Sequence, residues 1–145
     1  MYNKNKLLGM IPLVISKLLN FQAAFFHHVV IDNNAVIGPG FYIMHCSNIY
    51  IGPVKIGSNC TIHHNITIGQ KVARRDNSVP EIGDHVWIGT GAIITGAIKI
   101  GNYATLSAGC VLSKDVPEKC LVAGNPARVI DNNYDNSTFL SFKML

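Results

Sequence analysis

I-G-D-H-V-W-I-G-T-G-A-I-I-T-G-A-I-K-I-G-N-Y-A-T-L-S-A-G-C-V-L-S-K-D-V-P, residues 82–117, carries an aliphatic residue at every sixth position: Ile82, Ile88, Ile94, Ile100, Leu106 and Leu112. A small residue follows each of them, and the position two before the next aliphatic is again small or branched, as at Val86, Ala92, Ile98, Ala104, Cys110 and Val116. A period of six fits neither the 3.6 of a helix nor the 2 of a long strand. Side chains alternate along a strand, so residues two apart share one face of a very short strand, and the rest of each hexad must turn the chain. Three short strands and three corners make a triangular coil of about 18 residues, and stacked coils make a parallel β-helix filled by the aliphatic and small residues. The same phrase runs earlier through Ile31, Ile37, Ile43 and Ile49, and again through Ile56, Ile62 and Ile68.

The composition agrees with such an interior. The 145-residue chain is 48% hydrophobic but only 14% charged and 8% aromatic, against a usual charged share of about a quarter. A disordered chain is excluded, because that class has few apolar residues and many charges. The net charge of +4 arises from 12 basic and 8 acidic residues with no basic stripe, so nucleic acid is not an expected partner. Cys46, Cys60, Cys110 and Cys120 form no C-x-x-C pair, and a reducing cytoplasm is the expected compartment. Cys60 and Cys110 fall at inward small positions, where a thiol behaves as a small hydrophobe.

Interruptions of a monotonous ladder are where function is expected. The step from Ile49 to Ile56 is seven residues, which places a one-residue insertion near Gly52-Pro53. The step from Ile68 to Ile82 is fourteen, so Arg74 to Glu81 (R-R-D-N-S-V-P-E) should protrude as a polar loop. Counting three hexads to a turn puts His45, His64, Thr90 and Ala108 at one corner in successive coils, about 4.8 Å apart. His27, His28, His63 and His85 fall outside that column. An imidazole on such a corner is a natural general base near neutral pH. Bland alternatives stay open, since a surface histidine more often only fills its corner.

The phrases V-I-G-P-G-F-Y-I-M-H (36–45), T-I-H-H-N-I-T-I-G (61–69), V-P-E-I-G-D-H-V-W-I-G-T-G-A (79–92) and V-A-G-N-P-A-R-V-I (122–130) resemble the serine acetyltransferase-like branch of the hexapeptide-repeat acyltransferases. The resemblance implies an all-β chain, a left-handed parallel β-helix of hexapeptide repeats with a short N-terminal helix and a protruding loop. It implies three segments: an N-terminal helical stretch at 1–28, the β-helix acetyltransferase domain at 29–130 and a C-terminal tail at 131–145. It further implies a homotrimer that binds acetyl-coenzyme A between neighbouring β-helices, with no metal. Carried onto this sequence, His45 matches the catalytic histidine, with His64 beside it, and Thr90 and Ala108 match positions that contact the pantetheine arm. Lys114 and Arg128 look placed for nucleotide phosphates, and Arg74 and Arg75 for the acceptor.

Two positions depart from the serine-specific pattern: Val30 and Val79 stand where that pattern has an Asp and a second His. Residues 1–28 are also too few for the large N-terminal helical domain of those enzymes. The expected acceptor is therefore a sugar hydroxyl in surface polysaccharide biosynthesis, with serine as the alternative acceptor. A metal hydratase resembling γ-type carbonic anhydrases is the alternative from another class. Lys6 to Phe26 reads as a short helix rather than a signal peptide or a membrane span. It packs on a neighbouring subunit or, in the alternative, makes peripheral membrane contact. The tail is expected as a loose connection with a short element over the open end of the β-helix.

Overall fold

A computed structural model describes residues 4–71 and 79–140 of the chain. Helix α1 (Lys4–His27) leads into a stack of five coils. The first coil holds β1 (Val29–Ile31), β2 (Val36–Ile37) and β3 (Tyr42–Ile43); the second holds β4 (Ile49–Ile51), β5 (Lys55–Ile56) and β6 (Thr61–Ile62). The third holds β7 (Thr67–Gly69), β8 (Glu81–Ile82) and β9 (Trp87–Ile88), and the fourth β10 (Ile93–Thr95), β11 (Lys99–Ile100) and β12 (Thr105–Leu106). The last holds β13 (Val111–Leu112), a bridge from Val116 to Ile100, and β14 (Leu121–Ala123). Strand β15 (Arg128–Asp131) then turns back antiparallel on β14, and one turn of helix, α2 (Ser137–Leu140), ends the described chain.

Three parallel sheets form the walls. The first runs β1-β4-β7-β10-β13, the second β2-β5-β8-β11 and the third β3-β6-β9-β12-β14-β15. From the second coil onward the aliphatic residue and its partner two positions earlier are buried together: Cys60 with Ile62, Ile66 with Ile68, Val86 with Ile88, Ala92 with Ile94, Ala104 with Leu106; in the first coil Ala35, Ile37, Phe41 and Ile43 are partly buried. Burial pushes the Cys60 and Cys110 thiols up to about 11, which leaves them protonated packing groups. Cys60 Sγ donates to the carbonyl of Gly83 in the next coil at 3.1 Å.

Corners are held by left-handed residues and by side chains that cap the neighbouring coil. Gly40, Asn59, His85, Tyr103 and Lys119 all take positive φ along the corner before the third sheet. Next to them Asp84 Oδ1 accepts the amide of Ser58 at 2.7 Å, and Asn102 Oδ1 accepts the amide of Asp84 at 2.8 Å. Such local bonds satisfy backbone donors that turning away from the sheet would strand.

Two details differ from the sequence expectation. Ile51, not Ile49, shares the register of Ile31 and Ile68. The extra residues therefore lie between Ile43 and Ile51, at the His45 corner, and the corner at Gly52-Pro53 is shortened rather than extended. Ile49 and Ile51 are two apart and both face inward, so either satisfies the apolar pattern. The tail also differs: it lies along the flank of the third sheet and not over an open end. Asn136, 2% exposed, donates its amide to the carbonyls of His85 and Tyr103 at 3.0 Å each. Phe139 then packs on Trp87, with ring centroids 5.2 Å apart.

Helix α1 spans 24 residues and covers the whole Lys6 to Phe26 stretch read as an N-terminal helix. Leu13, Leu18, Phe21, Phe25 and Phe26 are exposed on it. Among the described residues no helix is long and apolar enough to cross a membrane.

Candidate active site

The third sheet sets the register Ile43, Ile62, Ile88, Leu106, so the residues two further on, His45, His64, Thr90 and Ala108, stand on one corner as the hexad count requires. Backbone bonds lock this corner from coil to coil. The amide of Gly109 donates to Thr90 O at 2.7 Å, that of Gly91 to His64 O at 3.1 Å, that of Asn65 to Ser47 O at 3.0 Å and that of Asn48 to His27 O at 3.2 Å. Counted on this exit side, Ser47 and not His45 is the partner of His64. His45 is thus carried on the widened turn, at φ 61, a left-handed conformation that side-chain-bearing residues adopt at some cost.

His45 is exposed and faces two further imidazoles. Its ring centroid is 5.9 Å from that of His64 and 6.5 Å from that of His63, both at steep angles. His63 packs on Trp87 at 4.9 Å. Burial, and then the neighbouring His45 and His64 rings, hold the His63 imidazole below the ordinary histidine value, which favours its neutral form. The hexad count leaves His63 outside the column, because it directly follows the inward Ile62 and strand alternation turns it to the opposite face from His64. The turn of the chain brings it round to His45. The signal for it was the paired His63-His64 at the start of a corner, read as one corner residue and one bystander.

The other expected residues are placed as follows. Thr90 and Ala108 continue the corner beyond His64, and Arg128, at the start of β15, pairs with Ala123 at the end of β14. Lys114 is exposed on the next corner, between the first and second sheets. Arg74 and Arg75, with most of the protruding loop, lie outside the described residues. Val30 is 43% exposed on β1 opposite Tyr50, and Val79 packs against the core. Neither offers a carboxylate or an imidazole. A groove of about 800 Å³ lies on the outer face of the second sheet, lined by Lys55, Glu81, Lys99 and Asp115 among others, and shares no residue with the histidine corner. Among the described residues no group of three His, Cys, Asp or Glu side chains is placed to hold a metal.

An exposed imidazole is chemically able to act as a general base. Residues 80–114 match the family described as bacterial transferase hexapeptide (six repeats). The chain is 35% identical over 120 residues to the serine acetyltransferase of Bacillus pumilus (strain SAFR-032), covering 82% of this chain and 55% of that protein. Its structure is similar to soybean serine acetyltransferase complexed with serine, with a TM-score of 0.75 and 38% identity over 82% of this chain and 49% of the other. It is also similar to the coenzyme A complex of serine acetyltransferase from Brucella abortus strain S19, with a TM-score of 0.72 and 32% identity over 75% and 44%. The fold and corner thus define a hexapeptide-repeat acyltransferase scaffold. The chain is similar to the serine acetyltransferase-like branch of that family.

The chain spans about half the length of the curated relatives it matches. The expectation of a polysaccharide acceptor is overturned by these similarities, since the relatives and solved structures are serine acetyltransferases, at 32–42% identity for the curated relatives. Val30 and Val79 remain departures from the serine-specific pattern at single positions.

Proposed function

We propose that the chain is an acetyl-coenzyme A-dependent O-acetyltransferase whose acceptor is the hydroxyl of serine. The observation that carries this reading is the exposed His45 imidazole on a widened corner of a coil stack similar to serine acetyltransferases. In this reading His45 takes the hydroxyl proton as the serine oxygen attacks the thioester carbonyl. The imidazolium then protonates the departing thiolate, so no covalent enzyme intermediate forms. His64, at 5.9 Å, supports the base from the next coil.

Acetyl-coenzyme A runs along the corner past Thr90 and Ala108, with Lys114 and Arg128 toward the nucleotide phosphates. Arg74 and Arg75 offer cations for the serine carboxylate. The active unit is a homotrimer with sites between subunits, and the exposed apolar side chains of α1 pack on a neighbour there. The free thiols at Cys46, Cys60, Cys110 and Cys120 agree with action in a reducing cytoplasm.

The test is thiol release from acetyl-coenzyme A across an acceptor panel containing serine, threonine, homoserine and hexoses. Release that depends on serine supports the reading. Release with a hexose and none with serine contradicts it.

A further inference from the structure

His45 sits on a left-handed bend within an enlarged turn, and among the described residues no hydrogen bond orients its imidazole. What flanks the ring is aromatic. His64 closes one side at 5.9 Å and His63 another at 6.5 Å. His63 is itself backed by Trp87 at 4.9 Å, Trp87 by Phe139 at 5.2 Å, and Phe139 by Tyr134 at 6.4 Å. His63 Nε2 and His64 Nδ1 are both sealed from solvent and meet no hydrogen-bond partner among the described residues. A buried polar atom left unpaired is destabilising, and the corner keeps two of them.

We propose that His63 is a positioning residue: its ring, wedged between Trp87 and His45, holds the His45 imidazole toward the reacting groups, and the C-terminal segment braces the wedge through Phe139. This rests on His45 being the base of acetyl transfer. The wedge must be neutral, because a second cation beside His45 would oppose the imidazolium that forms there. Burial and the two neighbouring rings favour that neutral form. The C-terminal brace is itself anchored, since Asn136 is buried and bonded to two coils at once. A ring that loosens by even 1 Å at such a site lowers the rate on the order of a hundredfold.

The test uses the full chain and the variants His63→Ala, His63→Phe and Phe139→Ala, read in two ways. The first is kcat and KM for acetyl transfer to serine; the second is the His45 ring Cε1–H resonance, assigned with His45→Ala. His63→Ala should lower kcat roughly ten- to a hundredfold with KM for acetyl-coenzyme A unchanged, and should shift or broaden the His45 resonance. His63→Phe, a neutral ring of similar size, should restore most of kcat and the sharp resonance. If His63→Ala does not fold, the partly exposed Phe139→Ala carries the same test with a smaller effect. A His63→Ala protein with unchanged kcat and an unchanged His45 resonance overturns the proposal, as does a His63→Phe protein as impaired as His63→Ala. Should the wild type transfer no acetyl group to serine, the functional reading falls, and the resonance alone decides the positioning role.

Discussion

Replacing Gly89 by alanine perturbs coil stacking and the histidine corner in one step. A Cβ there would lie 2.7 Å from the amide nitrogen of Ala108, 2.9 Å from the carbonyl oxygen of Leu106 and 2.9 Å from Cζ3 of Trp87. Favourable contacts begin at about 3.5 Å, so the methyl group must displace its neighbours by roughly 0.6–0.8 Å. The first two atoms are backbone of the next coil, tied in place by the Gly89 amide donating to Leu106 O at 2.8 Å. They cannot rotate away, whereas the Trp87 indole can. Overpacking of this kind costs about 1–3 kcal/mol, and in a chain of this size each kcal/mol moves Tm by about 2–4 °C.

Thermal unfolding at fixed protein concentration should therefore show a lower Tm for Gly89→Ala. The fluorescence of Trp87, the single tryptophan of the chain, should change, and acetyl transfer should fall as the support of His63 is withdrawn. Gly109→Ala is the control. Its Cβ would meet nothing within 4 Å, but its φ is +69, so it should lose about 1–2 kcal/mol from backbone strain alone, with Trp87 fluorescence unchanged. A Gly89→Ala protein with wild-type Tm and fluorescence refutes this account of the corner.

Thiol chemistry gives a second check: Cys46 is exposed, whereas Cys60 and Cys110 are buried and pushed up to about 11. At pH 8 a maleimide should label Cys46 in the native protein and reach Cys60 and Cys110 only on denaturation; labelling of all three at equal rates would mean the coils are not stacked as described. A third concerns pH. The His63 value is lowered in the folded chain, chiefly by burial, so below the ordinary histidine range the unfolded chain binds the extra proton first and stability falls with pH. The His63 contribution is intact above about 6.5 and is lost as pH drops through the folded value. His63→Phe should thus show a smaller fall in Tm between pH 7 and pH 5 than the wild type, and an equal fall would place His63 in a solvent-like setting.

Much of the architecture is legible in the sequence because a coil interior admits so few residue types. Ile82 to Leu112 fix the phase, and the corner column of His45, His64, Thr90 and Ala108 follows by counting. The register around Ile49 is not legible, since residues two apart on a strand face the same way and both are isoleucine. His63 escaped for a related reason: strand alternation separates His63 from His64, and only the turn of the corner brings both to His45. The anchoring of the tail by Asn136 leaves no periodic trace, because its partners are backbone carbonyls 51 and 33 positions away. The sugar acceptor rests on Val30 and Val79 and gives way to relatives and solved structures that are serine acetyltransferases.

The most direct measurement is mass-spectrometric detection of O-acetylserine from isotopically labelled acetyl-coenzyme A and serine, with wild-type protein and His45→Ala in parallel. Labelled product from the wild type, reduced by at least about a hundredfold in His45→Ala, is the predicted result. Equal product from both proteins would contradict the assignment of His45 as the base, and no labelled O-acetylserine from the folded wild type would contradict serine as the acceptor.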